Sequence, residues 1–524
     1  MFTSSLERAI KLARLDLKPS QLILYSVICG ALGFILGFLL LRSIIVSALL
    51  GLLFCLLVLF YPFGAIRSRR TAIDVILPHA IAYMQSLCGV MNLYEIFKEI
   101  FEQKEIYKEL SEEFGLIVRD VELLGYSVID AMRFLASNTA SKTLKDFLEG
   151  LVIAFESGSD LKGYMAKKID LIRDRAKKQM EMNMRTLEIV AEVFVVLFVA
   201  LPIFLAIMLS TMRMLGVNLM GIVGVYSYLL IPSGGLAILY LVDLMNVKED
   251  LGVVRVAKAV RFGVGERRKT FLEAIKSNYY LALVFSPLLV AICLLLFRNV
   301  SLEGKMALSL NSALIPLAIA FEYRARFVRR IEREIPDFLR SVLNLRDVGL
   351  TLEGVVRMLR ESEIGVIGRE LRKVEAVLEF GDTVKDAFIE FVDRVGVASI
   401  RRAIFLLIRA SERTENLRDI LQTAIDDLEY GLRMRDLRFA TGFSYVVIVY
   451  LSFFVFLYTS YVLVHTFTAK FGSSVAYPLY RMSLIVAVFS GLLAGEMEGG
   501  HVLYGLKHVI VFLISSVLLF EFLL

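Results

Sequence analysis

Apolar positions fall into two kinds of run along this chain. The first kind is unbroken: residues 19–41, 43–66, 193–212, 214–242, 277–297 and 439–469 contain no Asp, Glu, Lys or Arg. Each is near or above the ~20 residues a helix needs to cross a bilayer. Three further runs are shorter or interrupted: 306–321, 475–495 with Arg481 near one end, and 501–522 with Lys507. Together they predict nine transmembrane helices. The second kind of run is periodic. In the polar stretches 67–187 and 323–438, apolar residues return at helical spacing, as at Val384, Ala387, Phe388 and Phe391, and Val/Ile alternation bounded by hairpin turns is missing. Each stretch has room for about six short helices, enough for a compact bundle. The fold expected is an all-α polytopic membrane protein with two helical-bundle domains.

The two bundles read as copies of one unit. GYSVIDAM at 125–132 recurs as GDTVKDAF at 381–388, 256 positions later. Pro78 in ILPHAIAYMQSL matches Pro336 in EIPDFLRSVLNL, and Asn92-Leu93 matches Thr351-Leu352. Glu156 and Leu161 match Glu412 and Leu417, again 256 apart. Within the repeated phrase, Ser127 with Asp130 and Thr383 with Asp386 predict helix starts. The hydroxyl accepts a free N–H of the first turn and the acid suits the helix dipole. Gly125 and Gly381 stand where a left-handed helix stop belongs. The chain thus divides into 1–66 (basic segment and two spans), 67–187 (first bundle), 188–243 (two spans), 244–277 (basic linker), 278–322 (two spans), 323–438 (second bundle) and 439–524 (three spans). Residues 159–187 and 415–438 run toward spans without a proline, with only Gly431 as a weak point in the second. They predict stiff rods that join bundle to membrane.

Composition agrees: 57% of the 524 residues are hydrophobic, 21% are charged, and the mean hydropathy is +0.68. Three of the four cysteines, Cys29, Cys55 and Cys293, lie in apolar runs, and with Cys88 they form no C-x-x-C spacing. The first apolar run is too long for a cleaved signal and reads as a retained span. Lys and Arg set the orientation. They crowd the flanks of both bundles, whereas the opposite loops offer Arg42, Arg213, Arg298, Lys305 and Lys470. Both bundles and the N-terminus are therefore expected in the cytoplasm, with the C-terminus outside the plasma membrane. The formal net charge of +6 is mostly this juxtamembrane signal. No aromatic-interleaved basic patch suggests nucleic acid.

Catalytic patterns are missing. GVGERRKT at 263–270 ends like a phosphate loop but has Arg268 where the pattern needs glycine. His79, His465, His501 and His508 show no metal spacing, and no G-x-S-x-G elbow occurs. The expectation is a non-enzyme with no catalytic, cofactor or metal residues. A multi-span transporter of unknown substrate is the alternative, although no carboxylate lies deep in a span as a proton or ion relay would require. The linker 245–278 holds eight basic and four acidic residues. Val253, Val256, Val260 and Val264 lie there at helical spacing among the basic ones. It fits an amphipathic helix on anionic lipid, a docking face for an acidic protein, or both.

With this architecture in view, the chain resembles the platform proteins of type IV pili, type II secretion systems and archaella. The resemblance rests on ILPHAIAYM, GYSVIDAM and ESGSDLKGYM in the first copy, and on IPDFLRSV, GLTLEGVV, GDTVKDAF and SERTENLRDIL in the second. The tail GLLAGEMEGGHVLYGLKH, 491–508, is similar to that of the archaeal branch. Val90 departs from the pattern where the second copy has Gly349. The resemblance implies a homodimeric platform beneath a growing filament, which couples a hexameric secretion ATPase to pilin- or archaellin-like subunits. On this sequence the ATPase contact is assigned to Arg67, Arg69, Arg70, Arg173, Arg175, Lys177, Lys178, Arg255, Lys258, Arg261, Arg267, Arg268 and Lys269. The same residues serve the positive-inside signal. Glu496 and Glu498 are expected either to make a polar contact or to occupy a short cytoplasmic turn.

Overall fold

A computed structural model describes residues 10, 19–41, 44–88, 91–214, 226–245, 279–361, 365–412, 417–471 and 476–523. Among these the fold is helical, with no strand. The chain separates into two compact units, Met1–Arg175 and Ala176–Leu524.

The first unit contains α1 (Pro19–Leu41), α2 (Ile44–Leu87), α3 (Leu93–Glu102), α4 (Lys104–Leu124), α5 (Val128–Asn138) and α6 (Lys142–Glu156). It ends inside α7 (Leu161–Val195). The expected caps are present. Asn92 accepts from the Glu95 N–H at 2.9 Å while the Glu95 carboxylate takes the Asn92 N–H at 3.0 Å, a reciprocal box that satisfies two free donors. Ser127 accepts from the Asp130 N–H at 3.1 Å, and Gly125 ends α4 in the left-handed region at φ 69°. Tyr83, Phe97, Phe114 and Phe147 fill the core, with Phe97 and Phe114 edge-to-face at 4.9 Å between ring centres. Burial of each ring stabilises by roughly 2–3 kcal/mol.

The second unit continues α7 through a π turn (Val196–Ala200) into α8 (Leu201–Met214). Next come α9 (Ile231–Met245), a 3-10 turn (Tyr279–Phe285) and α10 (Ser286–Leu296). A second set follows: α11 (Leu302–Asp347), α12 (Leu352–Glu361), α13 (Gly365–Glu379), α14 (Val384–Val395), α15 (Ala398–Glu412) and α16 (Leu417–Phe471). The chain then closes with α17 (Ala476–Gly499) and α18 (Gly505–Val517). The set α11–α16 repeats α2–α7 element by element. Thr383 accepts from the Asp386 N–H at 3.1 Å, as Ser127 does from Asp130, and Gly381 has φ 94°. Pro78 and Pro336, matched in sequence, both lie inside the helix that opens their bundle.

Seven helices among the described residues are long and apolar enough to cross a membrane: 161–208, 226–243, 279–296, 302–347, 418–466, 476–499 and 502–523. The first two apolar runs of the sequence lie in α1 and α2. Within the fifth run Tyr279–Phe285 form a 3-10 turn, and Pro287 sits at the start of α10, where a missing N–H costs least. Inside the second unit, Leu187, Val190, Phe194 and Phe198 of the α7 line share one core with Val449, Phe453 and Phe456 of α16 and Phe512 of α18. The two rod helices therefore meet, and the Tyr445 hydroxyl donates to the Met184 carbonyl at 3.0 Å.

Candidate functional site

The rod α16 is a single helix of 55 residues, about 80 Å at 1.5 Å per residue. Its first six turns or so belong to the second bundle and its remainder to the membrane. α11 is its antiparallel partner, 46 residues that leave the membrane to open the same bundle. Ion pairs link the two along their polar lengths: Glu332 with Arg435, Arg333 with Asp436 at 3.1 Å, Arg340 with Glu429, and Asp347 with Arg418. Most of these pairs are exposed and individually contribute little. Glu332 differs. Only 7% of its side chain is exposed, and it also accepts from the Ser399 hydroxyl of α15 at 2.6 Å. Arg324, fully buried, donates to the Val395 carbonyl at the end of α14. The second bundle is thus fastened to the first turns of its own membrane helices.

The first unit repeats this fastening. Asp74 of α2 accepts from Ser141, the cap of α6, and pairs with Arg70 at 3.5 Å. Nothing in the local sequence marks these contacts, because acid and serine stand 67 residues apart in both copies. A second clasp joins α3 to α4: Tyr94 and Lys98 both donate to Glu122, Lys98 at 2.9 Å. The Tyr94 hydrogen bond, with Lys98 behind it, holds the Glu122 carboxyl below its usual range.

The residues assigned to ATPase docking separate into groups. Arg69 turns inward and clamps Glu112 at 3.2 Å and Glu113 at 3.1 Å, with 11% of its side chain exposed. It braces α2 against α4. Arg67 and Arg70 on the same helix are exposed. On α7, Arg175, Lys177 and Lys178 are exposed and Arg173 is half-buried. Arg255, Lys258, Arg261, Arg267, Arg268 and Lys269 lie outside the described residues, as do Val90 and the basic N-terminal segment. A charge count by repeat shows what whole-chain composition hides. Residues 88–160 hold seven basic and fourteen acidic residues, whereas the equivalent 344–416 hold twelve and thirteen. The bundles share a fold and carry different surfaces.

The glycine-rich tail forms a tight helical hairpin. Gly491, Gly495 and Gly499 recur every fourth residue of α17; the first two face α18 and Gly499 faces the Tyr504 ring in the turn before it. A Cβ on Gly495 would strike the Gly505 backbone, and one on Gly491 would strike Val509. Small residues at this spacing let membrane helices approach closely. At the turn, Glu498 is bound by Lys507 at 2.6 Å and by His508 at 2.8 Å, and the other ring nitrogen of His508 meets the Tyr450 hydroxyl at 2.7 Å. Of the two outcomes expected for Glu498, the polar contact is the one observed, and Glu496 beside it is buried. At the far ends of these helices Glu303 receives Arg481 at 2.8 Å and Tyr477 at 2.7 Å.

Comparison with known proteins gives the fold a lineage. The family described as "Type II secretion system (T2SS), protein F" matches twice, at residues 86–209 and 338–465. An uncharacterized protein of Methanocaldococcus jannaschii is 22% identical over 494 residues, 88% of this chain and 82% of its own length. Flagella accessory protein J of the same organism is 28% identical over 202 residues, covering 37% of this chain and 36% of that protein. Flagella accessory protein J of Methanococcus voltae is 28% identical over 195 residues, 35% of this chain and 34% of its own. The match therefore spans about a third of the length of either flagella accessory protein. No solved structure matches the chain.

Proposed function

The chain carries the type II secretion system protein F domain twice and belongs to that family, and from this premise we propose that it couples a cytoplasmic secretion ATPase to the assembly of pilin-like subunits, as the non-enzymatic platform of a type IV filament machine. The observation that carries the proposal is the unbroken passage of α16 from bundle to membrane, braced by α11. A coupling piece has to transmit displacement. A helix without an internal break does so, where a flexible linker would dissipate it.

In this proposal the N-terminus and both bundles face the cytoplasm and the C-terminus faces outward, in keeping with the Lys/Arg bias at the bundle flanks. The ATPase meets Arg67, Arg70, Arg175, Lys177 and Lys178, together with the linker residues Arg255 to Lys269. The acidic first bundle and the near-neutral second present different faces to it, so the bundles are not interchangeable. Two copies of the chain pair beneath the filament.

The test is a pair of insertions after Gly431. Seven Gly/Ser residues uncouple the two halves of α16, whereas seven alanines add about two helical turns and keep it stiff. The expected outcome is loss of filaments with the Gly/Ser insertion, partial assembly with alanine, and equal membrane insertion of both. Wild-type filament levels with the Gly/Ser insertion would refute the coupling role.

A further inference from the structure

Six large apolar side chains of the first bundle stand out in solvent: Leu123 and Leu124 at the end of α4, Tyr126 in the turn that follows, Phe134 of α5, and Ile153 and Phe155 in the last turns of α6. Leu123 is 76% exposed and Ile153 66%. The second bundle supplies an internal control. At the same offset of 256, Leu123, Tyr126, Phe134, Ile153 and Phe155 correspond to Glu379, Asp382, Glu390, Arg409 and Ser411, while Leu124 has an apolar counterpart in Phe380. The shared fold therefore does not require an apolar surface at these positions. The first copy carries one all the same.

These side chains gather toward one end of the bundle. The turn 125–127 joins α4 to α5, and Arg133 of α5 pairs with Glu156 of α6, so their chain neighbours Phe134 and Phe155 flank one ion pair. The end in question is the one remote from the apolar run of α2. There, α6 starts at Ser141 beside Asp74, about two turns past residue 66, and runs on for 15 residues. At the other end of α2, the Cys88 sulfur lies 3.6 Å from that of Met165, near the start of α7. From residue 66 to Leu87, α2 extends about 30 Å. The last turns of α6 stand about that far from the apolar run, beyond the reach of acyl chains.

Distance and charge select the occupant. The distance along α2 removes the bilayer. A second copy of the same face is repelled, because residues 88–160 hold seven basic and fourteen acidic residues, a formal charge of −7, and like charges brought face to face oppose docking. A partner of opposite sign is drawn in by the same field. Exposed aromatic and aliphatic side chains grouped in this way supply the desolvated centre that a protein interface needs. We propose that Leu123, Leu124, Tyr126, Phe134, Ile153 and Phe155 form a docking face for a basic amphipathic helix of a partner protein, whose apolar stripe covers them and whose Lys and Arg meet the acidic bundle. This goes beyond the coupling role, and the face is opposite in charge to the basic residues assigned to the ATPase.

The probe is a synthetic amphipathic helix of leucine and lysine, offered to the full-length chain in zwitterionic nanodiscs. Phe134→p-benzoylphenylalanine puts a photo-crosslinker in the face, and Glu390→p-benzoylphenylalanine puts one at the matching position of the second bundle. The Leu/Lys helix should crosslink from position 134, and roughly tenfold less from position 390. A helix of leucine and glutamate should give as little from either. Leu123→Glu with Ile153→Arg and Phe155→Ser installs the second bundle's own residues. Added to the chain labelled at 134, these changes should cut crosslinking roughly tenfold and leave the thermal midpoint in place. Should that variant not fold, Ile153→Arg alone changes one exposed side chain, and partial loss of crosslinking is expected. Equal yields from 134 and 390, equal capture of the Leu/Glu helix, or undiminished capture by the folded variants would overturn the proposal. So would crosslinks from 134 to lipid, which would assign the face to the membrane. Crosslinks from 134 to a second copy of the chain, lost in the variant together with the dimer seen by native mass spectrometry, would make it a subunit interface instead.

Discussion

The hydroxyl of Ser399 donates to Glu332 at 2.6 Å, and in the first repeat Ser141 donates to Asp74 across the same 67 residues of chain. Each pair ties the fifth helix of a bundle to the helix that enters it from the membrane. Because Glu332 is buried and also faces Arg435, removing the carboxylate takes away both an ion pair and the acceptor of the Ser399 hydroxyl. Glu332→Ala should destabilise by about 3 kcal/mol and Ser399→Ala by about 1 kcal/mol, read as thermal midpoints in detergent. Glu332→Ala with Arg435→Ala should cost less than the two single changes combined. Strict additivity would mean that the pair is only a surface contact.

The twin caps should respond alike. Ser127→Ala and Thr383→Ala each remove the acceptor for a first-turn N–H, at a cost of about 1 kcal/mol. Hydrogen exchange should quicken at the first turns of α5 and α14 and nowhere else. Gly125→Ala and Gly381→Ala, both at positive φ, should cost about 1–2 kcal/mol through backbone strain alone.

Two glycines predict opposite signs. Gly431 has open space around its Cβ position and sits inside α16, so Gly431→Ala should stabilise by about 1 kcal/mol. Gly495 faces the Gly505 backbone, which has no room to yield, so Gly495→Ala should cost about 3 kcal/mol and lower the folded yield. Equal behaviour of the two variants in a thermal-shift measurement would contradict the close hairpin.

Burial, and after it the negative charge of Asp160, pushes the Cys88 thiol up to about 11 from an ordinary 9.0. The thiolate is the reactive form. With Cys29, Cys55 and Cys293 changed to alanine, alkylation of Cys88 at pH 8 should run roughly a hundredfold slower than that of an exposed thiol. The unfolded chain releases this proton near 9 and the folded chain near 11. Between those values the folded state binds more protons, so stability should fall as pH rises through that window. Cys88→Ser should remove that part of the fall.

Much of the fold was legible because its signals are local or repeated. Charge-free runs mark helices that can cross a membrane, and a phrase used twice at one spacing gives both the duplication and the cap geometry at Ser127 and Thr383. The fastenings were not legible. Asp74 and Ser141 carry no joint pattern, and Arg69 looks in sequence like its exposed neighbours Arg67 and Arg70. Only tertiary packing decides which of the three turns inward to Glu112 and Glu113. The tail glycines advertised an unusual segment, but their meaning is the approach of two backbones, a relation between α17 and α18 that one helix alone does not express. The charge difference between the bundles was countable from the start. It emerges when the repeats are compared position by position, since the chain as a whole averages it away.

The length of α16 has a mechanical corollary. If its polar and apolar portions meet at the bilayer surface, near Arg438 and Phe439, the helix is divided into arms of about 33 Å and about 50 Å. Tilted about that fulcrum, a sideways push at Leu417 reaches the far end of the helix enlarged by a factor of about 1.5 and reversed in direction. The gear ratio is set by nothing more than how many residues stand on either side of the pivot.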